Sequence, residues 1–207
     1  MINVIVVEDN DTIREGLKIL INETEGYFCE AAYPDYKLLI NNISKLSGHV
    51  LLIDICSTGV HGINAIKKIK AALPGLTILI LTLYEENDLI FDALCAGASG
   101  YLVKRTPPEK LLQAIQEAYF GGVPMNSDIA RKVIHFFQQR KFLEIKNDQA
   151  LLSDCERNIL NKLAEGNSFK AISDSLFMNV EDMRLSFKSI YKKLHLQASL
   201  NKTFREV

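Results

Sequence analysis

Short runs of hydrophobic residues recur through the first half of the chain. In a typical one, Val50-Leu51-Leu52-Ile53, four apolar residues lead directly into the carboxylate of Asp54. Continuous apolar runs of about four to eight residues indicate strands that are buried on both faces, as in parallel sheets. Such runs occupy residues 2–7, 50–53, 77–81 and 100–103, and residues 27–33 are a further strand candidate.

Amphipathic stretches separate these runs and predict helices. Asp11 or Thr12 is a candidate N-cap for the first helix, Pro74-Gly75 ends the third, and Pro108 can begin the fifth. The predicted helices span residues 11–23, 36–46, 64–73, 86–96 and 108–120. Strict alternation of strands and helices predicts an α/β domain with a flavodoxin-like, doubly wound parallel sheet of five strands, in the order 2-1-3-4-5.

The rest of the chain has helical periodicity only. A helix over about residues 127–141 and a polar stretch at residues 146–149 predict a linker. A helix over residues 154–164 precedes a short helix, a tight turn and a longer helix over residues 168–194, which is the helix-turn-helix arrangement. The predicted organisation is an α/β domain over residues 1–122, a linker with a helix over 123–150, and a small all-α domain over 151–207.

Composition adds several exclusions. The 207 residues carry a formal net charge of -1, so a basic surface for nucleic acid has to be local. The four cysteines are scattered without the spacing of a zinc site. No apolar run reaches the roughly 18 residues of a membrane span, and the first residues lack the pattern of a signal peptide. We therefore expect a cytoplasmic protein with reduced cysteines and no membrane partner.

Polar side chains with complementary chemistry follow the predicted strands. Glu8 and Asp9 follow the first, Asp54 the third, Thr82 the fourth and Lys104 the fifth. The carboxyl ends of parallel strands meet at one edge of the sheet, so these groups converge there. Carboxylate oxygens are ligands that Mg²⁺ prefers. A carboxylate can also attack a phosphoryl group, and a hydroxyl and an ammonium can then bind the negatively charged phosphoryl oxygens. The pattern predicts an aspartyl phosphate at Asp54, with Mg²⁺ at Glu8 and Asp9.

The same residues resemble those of the receiver domain of bacterial two-component response regulators. The resemblance is carried by Glu8, Asp9, Asp54, Thr82 and the stretch over residues 93–104. It implies that Tyr101 is an aromatic switch residue coupled to Thr82, and that the backbone carbonyl of Cys56 completes the Mg²⁺ ligands. The chain departs from the family at Ser57-Thr58, where Met-Pro is usual.

The C-terminal part resembles the LuxR-type helix-turn-helix domain. The matching blocks lie at residues 151–157, 163–166, 170–173 and 190–194. In the last long helix a basic stripe recurs at four-residue spacing, which favours contact with DNA phosphates and the major groove. The predicted DNA-contacting residues are Arg184, Leu185, Lys188, Lys192 and Lys170. The domain departs from the family at Asp182, preceded by Glu181, and at Ser186.

Two hypotheses of different classes follow. In the first, the protein is a DNA-binding transcription regulator that a sensor histidine kinase or a small phosphoryl donor phosphorylates, and that binds promoter DNA as a homodimer or as a heterodimer with another regulator. In the second, the C-terminal domain acts through protein–protein interaction, which the acidic Glu181 and Asp182 favour. An enzyme on this fold is disfavoured, because Cys56 stands where a second Asp would follow Asp54 and no GxxxxGK motif is present.

Overall fold

The structure of the chain is a computed structural model. It describes residues 1–55, 60–83, 87–139, 152–179, 181–183, 185–187, 189–190 and 192–193. The strands are β1 (Ile2–Val7), β2 (Tyr27–Tyr33), β3 (Val50–Ile53), β4 (Thr77–Thr82) and β5 (Gly100–Val103). The helices are α1 (Asp11–Asn22), α2 (Tyr36–Asn42), α3 (Val60–Ala72), α4 (Asn87–Cys95), α5 (Pro108–Tyr119), α6 (Ser127–Gln139), α7 (Asp154–Ala164) and α8 (Phe169–Ser175).

The five strands form one parallel sheet in the order β2-β1-β3-β4-β5, which confirms the predicted topology. Side chains alternate between its two faces. One face packs against α1 and α5, and the other against α2, α3 and α4. Because both faces are covered, the strands are apolar throughout, as the sequence pattern indicated.

Three helix ends differ from the prediction. The N-cap of α1 is Asn10, whose Oδ1 accepts from the backbone N–H of Ile13 at 3.1 Å, because Asn10 still has extended backbone angles and Asp11 is already helical. The helix α2 ends at Asn42, and a short 3-10 turn follows it. The helix α3 begins four residues earlier than predicted, because Ile63 is drawn into the core, where 7% of it is exposed.

The sheet domain and the C-terminal helices share one hydrophobic cluster. In α6, Ile129, Ala130 and Val133 are fully buried and pack in the same cluster as the apolar face of α7. The segment before α6 is tied to the sheet, where the Tyr101 N–H donates to the Pro124 carbonyl at 3.2 Å. Gly100 is required there, because a Cβ would lie 2.5 Å from that carbonyl oxygen. The linker helix is therefore part of the core.

Within the described part of the chain, no helix is both long enough and apolar enough to cross a membrane.

A cavity of about 240 Å³ lies between α5, the start of α6 and the α7–α8 turn. Lys110 and Glu117 of α5, Ser127 of α6 and Asn167 of the turn are among the residues that line it. Burial raises the pKa of Glu117 from 4.5 to about 7. The folded protein therefore favours the neutral carboxyl group, and unfolding releases its proton between these two pKa values.

We predict that Glu117→Gln changes the pH dependence of stability. As pH rises through the interval from about 4.5 to about 7, the wild type loses stability because only its unfolded state readily ionises. At pH 8 the Gln variant should be more stable by about 1–3 kcal/mol, at about 1.4 kcal/mol per pKa unit discounted for residual solvation, and near pH 4 the two should match. Urea unfolding across this pH range measures the difference. Glu109→Gln, at an exposed position of the same helix, is the control and should show no such trend.

Candidate functional site

The sheet register places the predicted acidic residues side by side. The neighbouring strands β1 and β3 pair Val7 with Ile53, so Glu8 and Asp54 leave the sheet together. The Asp54 N–H donates to the Val7 carbonyl at 2.9 Å, which extends the strand ladder to the acidic residue itself. Glu8 is 1% exposed and Asp54 is 8% exposed. Two carboxylates are therefore buried next to each other at the carboxyl edge of the sheet.

Lys104 bridges these two carboxylates. Its Nζ lies 2.7 Å from Glu8 Oε2 and 2.6 Å from Asp54 Oδ2. Burial lowers the pKa of Lys104, but its hydrogen bonds to Asp54 and Glu8 more than offset this, so its pKa is raised. Burial also raises the pKa of Glu8, although hydrogen bonds from Lys104 and from the Asn10 N–H act against it. The Lys104 ammonium therefore stays charged and offsets the repulsion between the Glu8 and Asp54 carboxylates.

Asp9 adds a third carboxylate to the site. Oxygen atoms of Glu8, Asp9 and Asp54 all lie within 4.8 Å of one another. Hard oxygen ligands in this number suit a divalent cation such as Mg²⁺, which takes few protein ligands and keeps several waters. The donor set therefore fits a metal ion. Cys56, whose carbonyl the resemblance adds to this set, lies outside the described residues.

Thr82 and Tyr101 lie in the neighbouring strands, as expected. Thr82 ends β4 and is fully buried, and its carbonyl accepts from the Lys104 N–H at 2.8 Å. Tyr101 is also fully buried. The backbone of Tyr101 also forms an isolated parallel β-bridge with Met125, just before α6. Its position connects the site to the linker helix, and its role as a switch stays a prediction.

Two residues of the site escaped the sequence analysis. Asn10 caps α1, and its N–H donates to Glu8 Oε1 at 3.1 Å. Arg14, one turn into α1, donates from Nη1 to the Glu8 carbonyl at 2.9 Å. Asn10 could have been found from its preference for helix N-caps. Arg14 gave no signal, because an arginine in the first turns of an amphipathic helix is usually a solvated residue.

The C-terminal domain is a helix-turn-helix whose ends are well capped. Ser153 and Glu156 form a reciprocal capping box at the start of α7. After the turn, Asn179 Oδ1 accepts from the Asp182 N–H at 2.8 Å and caps the last helix, of which residues 181–183, 185–187, 189–190 and 192–193 are described. Met183, Phe187 and Ile190 in this helix are at most 1% exposed, so its apolar face is buried.

A buried ion pair fixes the last helix against α7. Lys193 Nζ lies 2.6 Å from Glu156 Oε2, and Glu156 is 5% exposed. Burial alone would raise the pKa of Glu156, but hydrogen bonds from Lys193, Ser189 and the Ser153 backbone lower it. The S-x-x-E pattern could have indicated the capping box. The pairing of Glu156 with Lys193, 37 residues away, could not be inferred from that pattern.

The predicted DNA-contacting residues are only partly described. Leu185 is 55% exposed, and Lys170 and Lys192 are also exposed. Arg184 and Lys188 lie outside the described residues. The acidic residues Glu181 and Asp182 are exposed at the start of the same helix.

We predict that Glu156→Gln destabilises the C-terminal domain by about 1–3 kcal/mol at pH 7, because it leaves the largely buried Lys193 ammonium without its counter-charge. The loss should shrink as pH falls through the lowered pKa of Glu156, since the wild-type carboxylate is then protonated too. Urea unfolding followed by circular dichroism measures it. Glu165→Gln, exposed in the α7–α8 turn, serves as control, and equal losses in both variants would contradict a special role for the pair.

Comparison with known proteins adds three findings. A family model described as a response regulator receiver domain matches residues 4–116. The transcriptional regulatory protein YdfI of Bacillus subtilis is 31% identical over 196 residues, which is 94% of this chain and 90% of YdfI. The oxygen regulatory protein NreC of Staphylococcus haemolyticus is 28% identical, over 94% of this chain and 92% of NreC.

Solved structures of a response regulator are also similar. For RcsB of Salmonella typhimurium, studied for its interaction with DNA, the identity is 26% and the TM-score is 0.58, over 94% of this chain and 93% of RcsB. A structure of an RcsB–DNA complex is 27% identical with a TM-score of 0.58, over 94% of this chain and 92% of that chain. The likeness to these structures spans both the sheet domain and the C-terminal helices.

Proposed function

The chain belongs to the response regulator family, and on that premise we propose that it is phosphorylated at Asp54 and acts as a DNA-binding transcription regulator. The observation that carries the proposal is the cluster of Glu8, Asp9 and Asp54 at the carboxyl edge of the sheet, in which Glu8 and Asp54 pair with the Lys104 ammonium. A cluster that served stability alone would not need a third, exposed carboxylate beside two buried ones.

The proposed chemistry is transfer of a phosphoryl group to Asp54. A carboxylate oxygen of Asp54 attacks phosphorus, and the bond from phosphorus to the donor atom breaks, so that the donor leaves with the electron pair. Lys104, already 2.6 Å from Asp54 Oδ2, then pairs with a phosphoryl oxygen, and Thr82 donates its hydroxyl hydrogen to another. When bound, Mg²⁺ neutralises charge on the phosphoryl oxygens. Its proposed protein ligands are Glu8, Asp9, Asp54 and the Cys56 carbonyl.

The proposed route to the output domain runs through Tyr101. A shift of Thr82 toward the phosphoryl group changes the space beside Tyr101. The backbone N–H of Tyr101 donates a hydrogen bond to the Pro124 carbonyl, just before α6. Since α6 and α7 share one hydrophobic cluster, a movement there reaches the helix-turn-helix domain. Coupling free energies between two sites are typically about 1–3 kcal/mol, so phosphorylation should shift the equilibrium between the inactive and active conformations only partially.

The proposed DNA surface is the exposed side of the last helix. Lys192 in this helix and Lys170 in α8 are exposed for phosphate contact, and Leu185 of the last helix offers an apolar surface for base edges. Arg184 and Lys188 complete the proposed set by their place in the sequence. RcsB, which resembles this chain over most of its length, has been solved in complex with DNA.

The proposal includes partners and a compartment. The phosphoryl group comes from a sensor histidine kinase or a small phosphoryl donor, and promoter DNA is bound as a homodimer or as a heterodimer with another regulator. The relatives are transcriptional regulators, so we expect no catalytic turnover beyond self-phosphorylation. Because promoter DNA is the target, we place the protein in the cytoplasm.

We predict that acetyl phosphate with Mg²⁺ adds one labile phosphoryl group to the wild type and none to Asp54→Asn. The variant keeps the shape of the side chain but lacks the nucleophilic carboxylate. Intact-mass measurement decides the matter. Asp128→Asn, at an exposed position in α6, should be labelled like the wild type. Undiminished labelling of Asp54→Asn would place the acceptor elsewhere.

We predict opposite changes in DNA affinity for two variants of the last helix. Asp182→Thr should tighten binding, because it removes a negative charge near the DNA phosphates while the bond from its backbone N–H to Asn179 remains. Lys192→Ala should weaken binding and flatten the slope of log affinity against log salt by about 1, if Lys192 contacts a phosphate.

A salt titration of duplex binding measures both changes. Lys67→Ala, exposed on α3, is the control for the loss of one positive charge and should bind as the wild type does. If neither Asp182→Thr nor Lys192→Ala alters affinity, this helix does not meet DNA. The second hypothesis, action through protein–protein interaction, would then replace the first, and the exposed Glu181 and Asp182 would be its natural contact residues.

A further inference from the structure

The loop between β1 and α1 carries two of the three clustered carboxylates, those of Glu8 and Asp9. Glu8 is held by its own contacts, since its carboxylate accepts from Lys104 and from the Asn10 N–H. Asp9 is different. Its side chain is exposed, and within the described residues it makes no hydrogen bond or ion pair. The direction of its carboxylate therefore depends on the backbone of the loop.

Arg14 is the side chain that holds this backbone. Its guanidinium reaches back from the first turns of α1, and Nη1 lies 2.9 Å from the Glu8 carbonyl oxygen and 3.5 Å from that of Asp9. Its other terminal nitrogen, Nη2, pairs with Asp11. One planar group thus joins two residues of the loop to the first residue of α1, and it fixes the peptide planes on both sides of Asp9.

A second arginine shows that pairing with an acid does not by itself produce this arrangement. Arg131 in α6 pairs with Asp128 at the same i,i+3 spacing, at 3.0 Å, and its side chain is 61% exposed. The Arg14 side chain is only 14% exposed, although its partner Asp11 is 85% exposed. The Arg14 side chain is largely covered because it turns toward the loop carbonyls.

We propose that Arg14 is a positioning residue for the metal-binding carboxylates, and that it orients Asp9 through the backbone of the β1–α1 loop. The inference rests on the proposed Mg²⁺ site. Two carbonyls and a carboxylate need several donors in fixed directions, which the planar guanidinium provides and a lysine ammonium does not. Groups that orient metal ligands typically contribute about tenfold or more to metal affinity.

Positioning and simple charge make opposite predictions. A positive charge beside an acidic cluster repels Mg²⁺, so its removal alone would strengthen metal binding. Loss of the oriented contacts would weaken metal binding whether or not the charge is kept. Arg14→Lys keeps the positive charge but loses the planar set of guanidinium donors, whereas Arg14→Gln loses both the charge and these donors. If Arg14 positions the ligands, the dissociation constant for Mg²⁺ rises in the order wild type, Gln variant, Lys variant.

The experiment is a Mg²⁺ titration of the unphosphorylated full-length protein, followed by amide NMR shifts, with Arg131→Lys as the matched control. We expect the Lys variant to bind Mg²⁺ about tenfold more weakly than the wild type, and Arg131→Lys to bind unchanged. Hydrogen exchange in metal-free protein should be faster in the β1–α1 loop of both Arg14 variants. Circular dichroism verifies that each variant is folded.

Each outcome has one meaning. Weaker binding in both Arg14 variants, with a faster-exchanging loop, supports the inference. Lys-variant affinity equal to that of the wild type, or a Gln variant that binds more tightly than the wild type, overturns it and leaves only an effect of charge. A wild type that does not bind Mg²⁺ at all overturns the metal site of the proposed function, and the positioning role falls with it.

Discussion

The Lys104 ammonium, placed between the carboxylates of Glu8 and Asp54, is the interaction on which the site depends. Two buried carboxylates repel each other and lose hydration, and each effect favours protonation. An ammonium at 2.6–2.7 Å from both reverses part of this cost and keeps an acidic edge that can attract a cation and a phosphoryl group. The parallel sheet makes this possible, since β1, β3 and β5 all end at the same edge and deliver Glu8, Asp54 and Lys104 there.

The C-terminal domain uses a related device for a different purpose. Glu156 is buried at the start of α7 and paired with Lys193, so the last helix is fixed by an ion pair in addition to its apolar face. In the sheet domain the buried charges form the proposed phosphoryl-transfer site, and the third carboxylate, Asp9, is exposed. In the helical domain, Glu156 and Lys193 neutralise each other, and their pairing stabilises the packing of the helices. An unequal number of acids and bases thus distinguishes the two sites.

The two domains pack against each other through α6. The Tyr101 backbone is hydrogen-bonded to Pro124 before α6, and the buried residues of α6 and α7 belong to one hydrophobic cluster. Glu117 lines the cavity at this junction as a carboxyl group that the folded protein prefers to keep neutral. The closeness of Gly100 to Pro124 leaves no room for a side chain, so this junction is under a tight steric constraint.

The sequence by itself determined the elements, the strand order and the residues at the sheet edge, because these follow from local periodicity and from the few topologies open to alternating strands and helices. Its errors were local: Asn10 rather than Asp11 or Thr12 caps α1, and α3 starts early because Ile63 reaches the core. The contacts of Arg14 with the loop carbonyls, and the pairing of Glu156 with a lysine 37 residues away, were decided only by tertiary structure. Such contacts depend on the direction of long side chains and on backbone groups brought together by folding, and neither leaves a periodic trace in the sequence.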